Sequence, residues 1–206
     1  VGVITNISYA HIKNFENINQ IALAKSEIIK NIKDAGYLIL NKDDKFYQLH
    51  KKIGLKRNLK ILSFSLNNKT ATTNLVSISK EKSKYKISLN INKKKIYFYS
   101  SSFFENDLKN LLATITIISI FKDIHKLDKN IFYDYKATNG RGDIAKVKLF
   151  KKNFYLVDES YNSNPLSLKS ALMNFDMIKI DNSKKHLVLG DMLELGKYSK
   201  KLHIEI

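Results

Sequence analysis

The sequence contains no cysteine, one proline and only seven glycines among its 206 residues. The absence of cysteine excludes both a disulfide framework and a thiolate metal site. No apolar run reaches the roughly 18–20 residues that a membrane-spanning helix needs. The longest such run, LLATITIISIF, suits a buried helix instead. Hydrophobic residues make up 44% of the chain, so the composition indicates a globular protein with a packed core.

Arginine is also scarce, although the formal net charge is +17. Of the 36 basic residues only Arg57 and Arg141 are arginine, and the rest are lysine. Base readout and bidentate phosphate contacts favour arginine over lysine. The abundance of lysine, isoleucine and asparagine is typical of AT-rich coding bias at surface positions. We therefore expect no nucleic-acid partner, and a lysine-rich polyanion-binding module without enzymatic activity stays open as an alternative.

The ends of the sequence carry no processing signal. The chain opens at VGVITNI, without an initiator methionine or a basic segment followed by a signal-type apolar stretch, and it stops within a helix-like pattern. We expect an internal fragment of a cytoplasmic protein that has no membrane partner.

The order of apolar runs predicts an α/β fold. Short strands are expected at residues 1–8 and 37–41, and helices at 17–33, 106–121 and 164–178. Four short β-rich runs within residues 60–100 predict antiparallel strands. A hairpin at residues 147–160, the third helix and an apolar run at 185–192 then give the strand–helix–strand order of a parallel sheet. We place a domain boundary near residue 150, which separates residues 1–150 from 151–206.

One residue breaks the pattern of the helix predicted over residues 17–33. Lys25 lies on a stripe that otherwise carries isoleucine at helical spacing, namely Ile18, Ile21, Ile28 and Ile32. A lysine in such a place usually extends its head into water. His11 lies just past the carboxyl end of the first strand, where α/β sheets place ligand sites. Taken singly, either residue is also compatible with an ordinary structural role.

Both residues lie in the segment TNISYAHIKNFENINQIALAKSEII, which resembles the central domain of the Mur ligases. The family pattern reads roughly T-N-I-x-x-A-H-L, then F, then A-K-x-E-I. The resemblance implies that His11 helps to bind Mg²⁺ and that carbon dioxide carbamylates Lys25. Desolvation of an inward amine would favour its neutral, reactive form. The resulting carbamate would give Mg²⁺ the anionic oxygen ligand that this ion prefers.

Other segments resemble further parts of the same family. LILNKDD resembles a loop of the form L-N-x-D-D. NDLKNLLATI stands where the family has H-N-x-x-N-A-L-A, which packs on adenine; Asn110 is kept, while Asn106 and Asp107 replace the His-Asn pair. In NGRGD the resemblance implies that Arg141 reaches the nucleotide phosphates, for which a guanidinium fork is suited.

The longest match is VDESYNSNPLSL together with VLGDMLELG. The patterns D-[DE]-S-Y-N-x-N-P-x-S and V-L-G-D-M-x-E-L-G resemble the Mur ligases that add D-alanyl-D-alanine, whereas ligases for earlier additions carry D-Y-A-H-x-P. Five residues would then face ATP: Asp158, Glu159, Tyr161, Asn162 and Asn164. From the residues alone, Asn164 equally suits the N-cap of a helix that begins at Pro165, and Asp191 and Glu194 suit loop or cap positions.

The resemblance implies a monomeric ATP-dependent ligase that joins D-alanyl-D-alanine to UDP-MurNAc-tripeptide through an acyl phosphate, with ATP and Mg²⁺. Residues 1–150 would be the C-terminal portion of the central ATP-binding domain, with an antiparallel subsheet, and residues 151–206 the start of a Rossmann-like C-terminal domain. Since the chain lacks the family's G-T-x-G-K-T phosphate loop, this fragment alone is expected to be inactive. A folylpolyglutamate or cyanophycin synthetase relative, or a degenerate Mur-like remnant, are the remaining alternatives.

Overall fold

The computed structural model describes residues 1–135, 139–178 and 184–206. The chain divides into two compact units, one formed by Val1–Ile7 with Asn19–Tyr135 and the other by Ser8–Ile18 with Lys136–Ile206. A six-stranded sheet and a separate antiparallel pair of strands give the α/β class that the sequence predicts. None of the helices in the described ranges is long and apolar enough to cross a membrane.

The first unit is built on a sheet whose six strands lie side by side in chain order. These strands are β1 (Gly2–Ile4), β2 (Tyr37–Asn41), β3 (Lys60–Ser65), β4 (Thr73–Glu81), β5 (Lys84–Ile91) and β6 (Lys94–Ser100). The helices are α1 (Ile18–Lys25), α2 (Tyr47–Lys56) and α3 (Glu105–Phe121). Each strand expected over residues 1–100 is therefore present, and α2 is a helix that the sequence reading did not predict.

The orientation of β3 corrects one expectation. β4, β5 and β6 are antiparallel as predicted, but β3 runs parallel to β2, with Leu38 opposite Ile61, and parallel to β4, with Phe64 opposite Thr73. Helix α2 accounts for the pairing with β2, because it crosses over between the two strands and returns the chain to the same end of the sheet. The contact of β3 with β4 is short and involves only Phe64 with Thr73 and Ser65 with Asn74. The side-chain pattern of a strand does not encode which way its neighbour runs.

Helix α2 lies close to the sheet. A Cβ atom added to Gly54 would come within 2.7 Å of Leu38 Cδ2 and 2.9 Å of Ile61 Cδ1, so glycine permits this approach. On the same helix His50 is buried, and its Nε2 lies 2.9 Å from the carbonyl oxygen of Ala22. This hydrogen bond pairs the polar atom of the buried histidine and links α2 to α1.

The core of the first unit lies between α3 and the sheet. Leucine and isoleucine recur at helical spacing along α3 and predict one inward face. Leu108, Leu112 and Ile115 are buried, and Leu111 and Ile118 are partly buried against the same cluster. The sheet contributes fully buried apolar side chains to this cluster, among them Ile39, Phe64, Leu89 and Phe98. The predicted helix and its inward face are confirmed.

The predicted helix over residues 17–33 does not continue as one α-helix. α1 ends at Lys25, and a 3-10 helix follows over Ser26–Asn31. A 3-10 helix has about 3.0 residues per turn instead of 3.6, so the apolar stripe changes phase there. Ile29 is consequently buried, while Ile28 is 43% exposed and Lys25 is exposed. The prediction of an inward-facing lysine was wrong: Lys25 is the last residue of α1, and its Nζ reaches the Asn6 carbonyl oxygen at an exposed position, as a lysine on an apolar stripe commonly does.

The second unit contains the predicted hairpin and the predicted helix. Strands β7 (Asp143–Leu149) and β8 (Lys152–Asp158) pair antiparallel, and α4 spans Pro165–Met177. Short 3-10 turns at Ile12–Asn14 and Gly196–Tyr198 and the helix α5 (Ser199–Ile204) complete it.

The strand expected at residues 185–192 is not formed. No ladder involves these residues in the part of the chain that the structure describes, and Val188 is 99% exposed. An apolar run forms a buried strand only where a neighbouring strand offers its N–H and C=O groups. The described residues offer no such neighbour, so the pattern alone gave a wrong prediction here.

Candidate functional site

The loop after β2 organises the carboxyl end of the parallel strands. Asp44 Oδ2 accepts a hydrogen bond from the Ile7 N–H at 2.8 Å, beyond the end of β1. Asp43 accepts from the Ser65 hydroxyl at 2.5 Å and from the Leu66 N–H at 2.7 Å, at the end of β3. The two carboxylates of the L-N-x-D-D loop therefore fix the edge of the sheet at which α/β proteins bind ligands.

Lys25 also reaches the carboxyl end of β1. Its Nζ donates a hydrogen bond to the carbonyl oxygen of Asn6 at 3.2 Å, although the residue as a whole is exposed. The amine is therefore held near the first strand's end while it remains accessible to water and to carbon dioxide.

His11 is held by a residue that the sequence reading treated as a loop or cap position. Its Nδ1 contacts the carboxylate of Glu194, and the Lys13 N–H donates to the Glu194 carbonyl oxygen at 2.8 Å. The two residues of this pair are 183 positions apart in the chain. No local pattern could have paired them; the only available signal was that each lies in a motif of the same family.

The turn that carries Glu194 packs tightly against the His11 loop. A Cβ atom on Gly196 would lie 3.1 Å from Lys13 Cα, and Gly196 has a left-handed backbone with φ of 52°. Ile12 and Leu195 are buried beneath the two turns. Close backbone packing and apolar burial thus hold the E-L-G turn beside the histidine.

The donors near His11 fit Mg²⁺ as a partial set of ligands. Within the described residues no group of three or more histidine, cysteine, aspartate or glutamate side chains is placed to hold a metal by itself. Mg²⁺ is commonly bound through one or two carboxylates and completes its octahedron with water and substrate phosphates. An imidazole beside a carboxylate is compatible with that mode of binding.

The NGRGD loop packs against the segment that follows β8. Gly140 and Gly142 have left-handed backbones with φ of 76° and 86°. The Gly142 N–H donates to the Asp158 carbonyl oxygen at 2.7 Å, and the Tyr161 N–H donates to the Gly140 carbonyl oxygen at 3.1 Å. The guanidinium carbon of Arg141 lies 4.3 Å from the centre of the Tyr161 ring. The structure thus brings three predicted site residues together, and Arg141 as a whole is exposed.

Two carboxylates border this loop. The hydroxyl and the N–H of Ser160 hydrogen-bond to Asp158 and lower the pKa of its carboxyl group; the N–H distance is 2.9 Å. The Glu159 carboxylate lies close to Gly142, since a Cβ atom added there would be 3.0 Å from its Oε1. Asp158 therefore stays ionised to a lower pH than an ordinary aspartate.

Asn164 acts as the N-cap of α4. Its side-chain oxygen accepts from the N–H groups of Leu166 and Ser167 at 3.1 Å each, and the Asn164 N–H donates to the Ser167 hydroxyl at 3.0 Å. This reciprocal pair is a capping box, with Pro165 at the start of the helix. The capping alternative for Asn164 is confirmed, whereas Asn162 is exposed nearby.

Asn110 belongs to the first unit, within α3. Asn110 lies four positions after Asn106 on this helix, and it is exposed. Asp107, which replaces the expected asparagine, accepts a hydrogen bond from the Ser102 hydroxyl at the start of the helix. The residue that departs from the family pattern, Asp107, therefore makes a hydrogen bond at the N-terminus of α3.

A protein-family model described as the Mur ligase middle domain matches residues 1–118. A similar curated protein is UDP-N-acetylmuramoyl-tripeptide–D-alanyl-D-alanine ligase from Rickettsia prowazekii (strain Madrid E), 31% identical over 212 residues. That match covers 100% of this chain and 44% of the relative, so the chain spans less than half of the relative's length.

Solved structures of the same kind of protein share the fold. MurF from Acinetobacter baumannii matches with a TM-score of 0.79 and 23% identity, covering 98% of this chain and 42% of that one. MurF from Thermotoga maritima, solved in complex with ADP, matches with a TM-score of 0.79 and 22% identity, covering 98% and 44%.

Proposed function

The chain belongs to the Mur ligase family, and on that premise we propose that the full-length protein carrying it joins D-alanyl-D-alanine to UDP-MurNAc-tripeptide at the expense of ATP. The proposal takes its substrates from the name of the Rickettsia relative and from the Y-N-x-N-P form of the segment after β8. The ADP bound to the Thermotoga protein supports a nucleotide as the energy source.

The observation that carries the proposal is the packing of Arg141 between two glycines and against Tyr161. Two main-chain hydrogen bonds fix the loop, and the ring supports the guanidinium from one side. Arg141 as a whole is exposed. A guanidinium held in this way is suited to bidentate contact with a phosphate, which a flexible lysine would make less specifically.

The proposed reaction has two steps. The carboxylate of the tripeptide attacks the γ-phosphorus of ATP, which gives an acyl phosphate and ADP. The amine of D-alanyl-D-alanine then attacks the acyl carbon, and phosphate leaves as the amide forms. Both steps bring negatively charged oxygens together, so cationic groups contribute most to catalysis. Arg141 would hold phosphate oxygens in both.

The other predicted residues would serve binding. We assign Asp158, Glu159, Tyr161 and Asn162 to the nucleotide side of the site and Asn110 to adenine. Asn164 would act by starting α4 at the right place. These roles come from family resemblance, and for the first three the packing around Arg141 supports them.

We propose that His11 and Lys25 contribute ligands to Mg²⁺, which when bound supplies positive charge against the phosphate oxygens. The neutral Lys25 amine would add carbon dioxide and release a proton, leaving an anionic carbamate. Because Lys25 is exposed, desolvation does not drive this conversion. The carbamate must then draw its stability from a neighbouring cation.

We also propose a monomeric cytoplasmic enzyme. In it, residues 1–150 form the C-terminal portion of the central ATP-binding domain, and residues 151–206 form the N-terminal portion of the C-terminal ligase domain. The parallel strands and α3 of the first unit support the first assignment. Strand β8 and α4 lie within the second range and support its assignment.

Phosphate release by the full-length protein tests the proposal. The protein receives ATP, Mg²⁺ and one pair of substrates at a time: UDP-MurNAc-tripeptide with D-alanyl-D-alanine, UDP-MurNAc with L-alanine, or a folate with L-glutamate. We expect release only with the first pair, together with a product of the summed mass less water. Release with either other pair assigns a different Mur-type ligase. Release with none, from a folded protein, indicates a degenerate relative.

A further inference from the structure

We propose that Glu194 is a positioning residue for His11. Its carboxylate accepts a hydrogen bond from the Nδ1–H of the imidazole and so leaves Nε2 unprotonated and free to act as a metal ligand. The inference rests on the proposed function in one respect only, the assignment of His11 to the metal.

The contact is anchored at two points. The side chains meet at His11 Nδ1, and the Lys13 N–H donates to the Glu194 carbonyl oxygen at 2.8 Å. The main-chain bond fixes the backbone of Glu194 relative to the His11 loop. Only the side-chain torsions of Glu194 then have to be set for its carboxylate to reach the imidazole ring. The conformation of the turn therefore favours the pairing.

Backbone geometry constrains both residues of the pair. His11 and Glu194 both have left-handed backbones, each with φ of 61°. Glycine adopts this conformation without steric penalty, and this chain uses glycine in it at residues 140, 142 and 196. Other non-glycine residues of the described chain, Lys82 and Asn92 among them, share this conformation, so it allows a glycine substitution at Glu194 but does not by itself explain the pair.

A contribution to stability does not explain the pair. The His11 side chain is 59% exposed and that of Glu194 55% exposed. Ion pairs between side chains this accessible contribute little to folding. A carboxylate on the second nitrogen of a metal-binding histidine, in contrast, sets the tautomer and the direction of the ring.

The chemistry decides which nitrogen is available. A neutral imidazole carries one proton, and in water this proton favours Nε2. A carboxylate at Nδ1 draws the proton to that side and turns Nε2 into an electron-pair donor. Without Glu194 the ring would present an N–H where a metal ligand is needed.

The test uses the full-length protein with ¹⁵N-labelled histidine, at a pH where the ring is neutral. The variants are Glu194→Gly, which suits the left-handed backbone, and Glu194→Asn, whose side chain tolerates that backbone but is one methylene shorter. Lys82→Gly is the matched control, because Lys82 is an exposed residue with φ of 55° in the turn between β4 and β5. His11→Ala identifies the His11 signals by their loss.

We expect the Nδ1–H tautomer in the parent protein and in Lys82→Gly, and a shift toward Nε2–H in both Glu194 variants. Glu194→Gln keeps an oxygen acceptor and should keep the parent tautomer. With Mn²⁺ as the probe, followed by electron paramagnetic resonance, affinity should fall about 10- to 100-fold in Glu194→Gly.

An unchanged tautomer in both Glu194→Gly and Glu194→Asn overturns the positioning role. A changed tautomer with unchanged Mn²⁺ affinity overturns the link from Glu194 to the metal, provided that His11→Ala lowers the affinity. If His11→Ala leaves Mn²⁺ affinity unchanged, the metal role of His11 in the proposed function fails instead, while the tautomer result stands by itself.

Discussion

At Asn164 a single side-chain oxygen accepts hydrogen bonds from two main-chain N–H groups, and the same residue lies in a motif that suggested contact with ATP. The Asn164→Ala change removes an N-cap and should lower the free energy of unfolding by about 1 kcal/mol. Urea denaturation of the 206-residue chain measures this. Asn162→Ala, in the same loop and exposed, should change it by less than about 0.5 kcal/mol. Equal effects of the two substitutions would contradict the capping role.

Ser160 lowers the pKa of the Asp158 carboxyl through its hydroxyl and its N–H. Ser160→Ala removes the hydroxyl and keeps the N–H, so the pKa should rise part of the way toward the ordinary value of 3.8. A ¹³C NMR titration of the carboxyl carbon measures it, with Ser163→Ala as a control that leaves it unchanged.

The sign of the linked effect on stability follows from the direction of this shift. Since the pKa of Asp158 is lower in the folded chain than in the unfolded chain, its stabilising contribution is present above the ordinary aspartate pKa. It is lost as the pH falls through the folded-state value. Ser160→Ala should therefore weaken the pH dependence of stability in the acid range and leave its direction unchanged.

Arg141 and Arg57 form a matched pair, because they are the only arginines in the chain. Arg141→Ala in the full-length protein should raise the KM for ATP about 10- to 100-fold, the equivalent of one charge-assisted contact. Arg57 donates to the carbonyl oxygens of Lys30 and Ile32, so Arg57→Ala should reduce stability and leave that KM unchanged. Steady-state kinetics distinguishes the two; an unaltered KM in Arg141→Ala would remove the phosphate role.

Single residues were predictable where a motif and its local backbone coincide. The sequence identified Arg141, Asp158 and Tyr161, which the structure brings together because two glycines let their loop turn against the segment after β8. The partner of His11 was not predictable, since Glu194 lies 183 positions away. The exposure of Lys25 was missed because the isoleucine spacing does not show that α1 ends at this residue, where a lysine can extend its head into water.

Between elements, the loop after β2 joins the ends of three strands through two carboxylates. Asp44→Ala removes the acceptor for the Ile7 N–H and for the Phe46 N–H, both bonded at 2.8 Å. Loss of a charged acceptor should cost about 1.5–3 kcal/mol of unfolding free energy. Asp34→Ala is the control, because the Asp34 side chain is 93% exposed. A difference of less than about 0.5 kcal/mol between the two variants in urea denaturation would show that the loop is held by other contacts.

Elements were predictable where their own pattern suffices, and their arrangement was not. Alternation and apolar runs gave the six strands of the first unit, and the leucine and isoleucine spacing gave α3. Parallel pairing of β3 with β2 depended on α2, whose mostly polar pattern was not recognised as a helix. The run at residues 185–192 has the composition of a buried strand but no neighbouring strand among the described residues. Composition alone therefore predicted a strand that is not formed.

At the scale of the whole molecule, the α/β class followed from the sequence, and the match to known folds agrees with it at 22–23% identity. Such low identity preserves a fold because burial patterns and turn positions tolerate exchange of most side chains. The high lysine content, in contrast, says little about function: lysine at exposed positions changes net charge without changing the core.

The central claim is that the full-length protein activates the tripeptide carboxylate with ATP before the dipeptide amine attacks. The most direct measurement uses UDP-MurNAc-tripeptide labelled with ¹⁸O in the reacting carboxylate, together with ATP, Mg²⁺ and D-alanyl-D-alanine. We predict that one ¹⁸O atom per turnover appears in the released phosphate by mass spectrometry. Phosphate without label, released while the amide forms, would contradict the acyl phosphate and with it the proposed function of this chain.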